Sequence, residues 1–178
     1  SFLVMSVVPI LVIGSVSLVT ANNGIYNKIR TYSLELVRTL KEDIANQVDI
    51  FWRMGDEINF SAVLQNGIAQ YDSFSEEDRR NFSRDMDSLI SSKLSRLSYL
   101  KQVMVTDLDD RLLFSNGFYP ELTAMLSRGE LPFDYLTNWT VKSTSNNRFV
   151  VFQRPIYSVR TNQPIANLTM FIEPDAFF

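Results

Sequence analysis

The sequence predicts an α+β chain: an N-terminal transmembrane helix continuing into a long stalk helix, then a five-stranded antiparallel sheet with flanking helices. Three observations carry that expectation. No charged residue appears before Lys28. Apolar residues then recur every three or four positions, with no proline between Pro9 and Pro120. Beyond Leu100 the apolar period drops to two, and turn-forming residues separate the segments.

Residues 2–19 read FLVMSVVPILVIGSVSLV, about eighteen uncharged and mostly apolar positions against the roughly 20 of a spanning helix. Pro9 and Gly14 are tolerated in membrane helices better than in soluble ones. The chain opens on Ser1 and shows no basic flank ahead of the run. It therefore reads as a fragment cut inside its first membrane segment, residues 1–20. Two other readings stay open. One is a signal peptide, since Val19-Thr20-Ala21 offers small residues after the run; the other is a buried soluble helix. The run exceeds a signal core of roughly 7–15 residues, which favours the anchor. Anchor or signal peptide, residues from about Asn22 onward are extracytoplasmic.

The stalk, residues 22–66, carries Ile25, Ile29, Tyr32, Leu36, Leu40, Ile44, Val48, Phe51 and Ile58 at helical spacing among Lys28, Arg30, Lys41, Glu42 and Asp43. That pattern makes an amphipathic helix of about ten turns. Its stripe packs on its own domain, pairs with a second copy as a homodimeric stalk, or does both. Residues 67–75 loosen the pattern. Ser75 then caps a second helix whose first turn holds Glu76, Glu77 and Asp78. Phe82, Met86, Leu89, Ile90 and Leu94 line one face of it.

Residues 103–107 and 112–115 form a hairpin around Leu108-Asp109-Asp110-Arg111. A short helix over 119–128 enters through Pro120 and ends near Gly129. Strands follow at 138–143, 149–157 and 165–172, separated by Ser145-Asn146-Asn147 and by Thr161-Asn162-Gln163-Pro164. Consecutive turn-linked strands favour antiparallel pairing over parallel crossovers. Residues 75–178 thus make one sheet-bearing module.

Composition excludes several chemistries. The 178 residues carry a net charge of -3 and neither histidine nor cysteine. Histidine-based triads, thiolate zinc sites and redox dithiols are therefore out. Without clustered Lys and Arg there is no nucleic-acid footprint. Metal binding through carboxylates alone stays open, and no cofactor is expected. The run VMVTDLDDRLLFSNG resembles the haloacid dehalogenase phosphatases, in which Asp107 would attack phosphorus and Asp109 would protonate the leaving group. Arg111 stands where that family has a small residue, only Lys142 follows as a lysine, and hairpins replace the crossovers, so a turn is the better reading. The charges of residues 76–85 read as a solvated helix face. Asn59, Asn81, Asn138 and Asn167 each open a glycosylation-type triplet and are read as chance matches.

The proline-bearing run SVVPILVIGSVS, the stalk, the hairpin VMVTDLDDRLLFSNG and the terminal RPIYSVRTNQPIANLTMFIEPDAFF together resemble the extracytoplasmic Cache sensor domains. More narrowly, they resemble those of YesM-type bacterial sensor histidine kinases. The resemblance implies a PAS-like sheet on a membrane-anchored stalk, the membrane-distal half of a double-Cache domain, sensing a small molecule or a partner binding protein. It also implies a pocket between the sheet and residues 118–137, where Phe133 and Asp134 lie. Tyr135, Trp139, Arg154 and Tyr157 are the candidate ligand-binding residues, and the ligand class is open. A partner-binding or structural ectodomain is the second reading, and an enzyme a distant third. A chemotaxis receptor or diguanylate cyclase would carry the same ectodomain.

Overall fold

A computed structural model describes residues 2–94, 97–117, 119–131, 133 and 138–177, with residues 2–12 and 93–94 described through the backbone alone. The helices are α1 (Phe2–Asn59), α2 (Ala62–Gln70), α3 (Glu76–Leu94) and α4 (Pro120–Ser127). The strands are β1 (Leu100–Thr106), β2 (Leu112–Asn116), β3 (Trp139–Ser143), β4 (Arg148–Tyr157) and β5 (Pro164–Ile172). They form one antiparallel sheet in the order β2-β1-β5-β4-β3. The α+β class expected from the switch in apolar period is the class observed.

The chain divides into two compact units, one ending at Ala45 and one beginning at Asn46. The first is helical throughout its described residues, and its apolar stripe is bare: Ile25, Ile29, Tyr32 and Leu36 are 57–67% exposed. Much of the expected membrane run lies in residues 2–12. Among the described residues no helix is long and apolar enough to cross a membrane.

In the second unit the helical stripe expected to reach residue 66 breaks after Asn59. Ser61 turns extended (φ -68°, ψ 135°) and its Oγ accepts from the Leu64 amide at 3.3 Å, starting α2. The break has a tertiary cause. Tyr157 N donates to Asn59 Oδ1 at 3.0 Å, and Gln65 Nε2 donates to the carbonyls of Asn59 and Tyr157 at 2.7 and 2.8 Å. The Val159 amide closes the clamp by donating to Gln65 Oε1 at 3.2 Å. Asn59 and Gln65 are buried, so each bond is worth about 1 kcal/mol and would cost more if left unmade. A straight helix would carry both amides off the end of β4.

The Asp-rich stretch is a turn. Asp107 Oδ1 accepts from the amides of Asp109 (3.0 Å) and Arg111 (2.8 Å), and Arg111 Nε donates to Asp107 Oδ2 at 2.8 Å. Asp110 takes φ 60°, a left-handed value that Asp tolerates. Arg111 also donates to Asp72 at 2.7 Å, and the two carboxylates, Asp72 foremost, raise its pKa above the ordinary arginine value. After β2 the chain reverses at Gly117, φ +120°, where a Cβ would lie 2.6 Å from the Lys101 carbonyl. Only glycine fits both the angle and the gap.

Each sheet face has its own apolar layer. Phe51, Met54 and Ile58 of α1 and Phe82, Met86 and Ile90 of α3 pack on Val103, Val105, Phe152, Leu168 and Met170. On the other face Leu122 and Met125 of α4, with Leu131, cover Met104, Phe149, Val151 and Phe171. Each such side chain contributes roughly 1.5–3 kcal/mol when fully buried.

Candidate functional site

Strand pleating sends successive residues to opposite faces. On β4 this separates Gln153, on the α4 side with Val151, from Arg154, on the helix side with Phe152. The helix side is a lock. Arg154 Nη1 donates to the Trp52 carbonyl at 3.2 Å, Nη2 pairs with Asp56 Oδ1 at 2.8 Å, and the guanidinium lies 5.1 Å from the centre of the Trp52 ring. The Arg154 side chain is only 12% exposed and its Nε has no partner. Gly55 makes the approach feasible, since a Cβ there would stand 2.8 Å from Arg154 Cδ.

Trp139 belongs to the same side. Its ring lies 4.6 Å from Phe152, 5.9 Å from Phe177 and 6.3 Å edge-on to Phe51. Tyr157 ends β4 with a 41% exposed side chain, while its backbone serves the Asn59–Gln65 clamp. Tyr135 lies outside the described residues. Of the four candidates, Trp139 and Arg154 thus share one layer against α1, and Tyr157 stands at its edge.

The opposite face carries residues that the sequence reading passed over. Strand register sets three rows across it: Pro155, Asn167, Thr106 and Leu112; then Gln153, Thr169, Met104 and Ser115; then Val151, Phe171 and Gln102. Gln102, Thr106, Gln153, Asn167 and Thr169 are all at least nine-tenths buried. Gln102 Nε2 donates to Ser115 Oγ at 2.8 Å and reaches Thr123 Oγ1 of α4 at 3.4 Å, but its Oε1 has no partner. Asn167 Nδ2 donates to the Asp107 carbonyl at 3.5 Å, and its Oδ1 has no partner either. Gln153 Nε2 reaches Thr169 Oγ1 at 3.4 Å.

A buried polar atom without a bond costs roughly 1–3 kcal/mol, and on this face two oxygens, Gln102 Oε1 and Asn167 Oδ1, go without one. The signal was in the sequence. Asn167 and Thr169 interrupt the apolar strand IANLTMFI at a spacing of two, which places both on one face. The same burial rules out a glycan on Asn167 or Asn59 in the folded chain.

Open grooves lie elsewhere among the described residues. One, of about 620 Å³, runs between α2 and the β4–β5 turn past Phe60, Leu108 and Arg160. A second, about 380 Å³, lies between α2 and α3, and a third, about 340 Å³, between α4 and the end of β3. Among the described residues no group of three or more acidic side chains converges to hold a metal ion.

No protein-family model and no curated protein sequence matches the chain. Solved structures do. The periplasmic domain of Vibrio cholerae LuxQ superposes with a TM-score of 0.50 at 13% identity, over 75% of this chain and 60% of that one. The E. coli DcuS sensor domain gives 0.42 at 12% identity, over 76% and 95%. This chain spans 60% of the length of the LuxQ structure. What it shares with the LuxQ periplasmic domain is the fold: a PAS-like antiparallel sheet behind a long N-terminal helix.

Proposed function

We propose that this chain is the extracytoplasmic ligand-sensing region of a membrane-bound signal-transduction receptor, a sensor histidine kinase with a Cache domain of the YesM type. The adjacency of Gln153 and Arg154 carries the reading. Gln153 belongs to the buried polar rows, and the next residue grips α1 through Trp52 and Asp56. A molecule bound on the rows moves β4 and β5 against that grip. It favours one packing of helix on sheet in proportion to its differential affinity for the two packings, and by no more. The membrane-anchored stalk carries the bias, and a second copy pairs with it along the bare stripe. Trp139 belongs to the transmitting layer in this scheme, with Arg154. The shared fold with a periplasmic domain supports an extracytoplasmic setting. A chemotaxis receptor or diguanylate cyclase would use the same lever with another output.

The test uses the whole receptor in membranes, with phosphate incorporation from ATP read against a library of sugars, amino acids and carboxylates. One compound class is expected to change incorporation, and Arg154→Met to remove the response while binding persists. No response from any compound, or a normal response in Arg154→Met, would sink the proposal.

A partner protein as the sensed species is favoured by a different observation. Phe60, Leu108 and Val159, 65%, 49% and 60% exposed, surround the groove beside α2. Under that reading Val159→Asp abolishes signalling; under the first it leaves signalling unchanged.

A further inference from the structure

We infer that the groove between α2 and the β4–β5 turn binds a short apolar peptide through both of its free termini. The site lies apart from the polar rows, and the sensing role proposed above does not depend on it. Its length, its charged ends and the groups along its walls together select that class.

α2 crosses one end of the sheet. The Val159 amide, just past β4, donates to Gln65 in the first half of α2. Asp72, two residues past α2, pairs with Arg111 of the β1–β2 turn. Gln65 and Asp72 are about 10 Å apart at helical rise. β5 lies between β4 and β1, and two strand spacings again come to about 10 Å. That is the reach of about three extended residues. The groove is open to solvent, and its volume of about 620 Å³ is that of a small-molecule site.

The two ends carry opposite charge. Among the lining residues Arg160 alone is charged; it is exposed, and among the described residues it joins no ion pair. The turn that holds it, residues 158–163, contains no acid. At the other end, around Leu108, Asp72, Asp107, Asp109 and Asp110 outnumber the guanidiniums of Arg79 and Arg111, which both lie on the Tyr71 ring. A carboxylate therefore belongs at Arg160, where a guanidinium takes it bidentately, and an ammonium at the acidic turn. A dicarboxylate or a diamine puts one charge at the wrong end. A single amino acid spans only about a third of the length.

Between the ends the walls are apolar and carry carboxamides. Phe60, Leu108, Val159 and Ile165 offer surface to apolar side chains. Asn66 and Gln70 are exposed one turn apart on α2, about 6 Å at helical rise. Same-side peptide groups of an extended chain recur at about 6.7 Å, and a carboxamide donates and accepts as a peptide group does. A fatty acid would meet Arg160 and the apolar walls, but it has nothing for the carboxamides or the acidic turn.

The test is calorimetric titration of the full chain with trileucine, its N-acetyl form, its C-terminal amide, its doubly blocked form and triglycine. The parent is compared with Arg160→Gln and with Asp109→Asn/Asp110→Asn, all at exposed positions. Asn tolerates the left-handed angle found at Asp110. Trileucine should bind the parent saturably, several-fold tighter than triglycine, and more weakly as salt rises. Amidation and Arg160→Gln should each weaken binding about fivefold, the scale of an exposed ion pair, and together no more than either alone. Acetylation and the double aspartate variant should behave in the same way. Absence of trileucine binding overturns the inference and leaves the sensing role standing. Losses that add in full place the termini elsewhere and also overturn it. Triglycine binding as tightly as trileucine removes the apolar walls, and the class with them. A doubly blocked trileucine that binds the parent as tightly as the free peptide assigns the groove to an internal segment of a partner protein and overturns the free peptide.

Discussion

Arg154 makes three kinds of contact with one turn of α1: a carbonyl bond, an ion pair and a stacked ring. The ion pair alone is a weak argument for stability, because Asp56 is half exposed. The carbonyl bond and the stack on Trp52 lie deeper and set the magnitude. Arg154→Ala is expected to cost about 2 kcal/mol in urea unfolding, and Asp56→Asn under about 1 kcal/mol. Gly55→Ala provides an independent check. Alanine is the better helix former by about 1 kcal/mol, yet here its Cβ would collide with Arg154, so the variant should be less stable than the parent. Combined with Arg154→Ala it should regain stability, because the obstacle is gone. A stabilised Gly55→Ala single variant would show that Arg154 is not seated on this turn. None of this was visible in sequence. Arg154 is a ligand candidate because a guanidinium on a strand adjoining the expected pocket can pair a carboxylate or phosphate, whereas its partners Trp52 and Asp56 lie about a hundred residues upstream and leave no local signal. The turn at Asp107–Arg111 was visible, because the bonds that close it join residues within four positions.

At the scale of elements, local rules worked where local bonds decide. The start of α3 is such a case. Ser75 Oγ accepts from the Asp78 amide at 3.2 Å, while Asp78 Oδ2 accepts from Ser75 N at 3.1 Å and Ser75 Oγ at 2.6 Å. These bonds, the side-chain one first, hold the Asp78 carboxyl below its ordinary pKa. A depressed folded value means the box stabilises above the unfolded aspartate pKa, about 4, and loses that contribution as pH falls through the lower folded value. The protection of the first-turn amides of α3, taken relative to unstructured exchange at the same pH, should therefore fall on acidification through that range. Ser75→Ala should be less protected at neutral pH and show little further loss of protection in acid. An acid response that persists unchanged in Ser75→Ala would assign it to another group. The strands were legible for a similar reason: period two and turn residues bound them. The break between α1 and α2 was not, because Asn59 and Gln65 leave the helix pattern only to reach Tyr157 and Val159. The polar rows needed the register of β1, β4 and β5, which no single segment contains.

At the scale of the molecule, the two compact units bury their surface very differently. Residues from Asn46 onward build both apolar layers of the sheet. The helix before Ala45 leaves Ile25, Ile29, Tyr32 and Leu36 bare, and Leu40 and Ile44 still 40% and 36% exposed. An isolated helix draws most of its stability from packing an apolar face, and nucleation is costly, so a stripe this long calls for a partner surface. The stripe keeps one face from Ile25 to Ile44 in steps of three or four residues, and such a face suits a second helix of the same kind laid alongside. We propose a homodimer through this stripe. In detergent, the full chain should sediment as a dimer, and Leu36→Glu should shift it to monomer with a loss of helical circular dichroism. Arg38→Ala, which removes only the exposed pair with Glu42, should leave the dimer intact. A parent chain that sediments as monomer, or a Leu36→Glu variant that remains dimeric, would move the pairing surface elsewhere. The stripe from Ile25 to Ile44 would then need another partner surface.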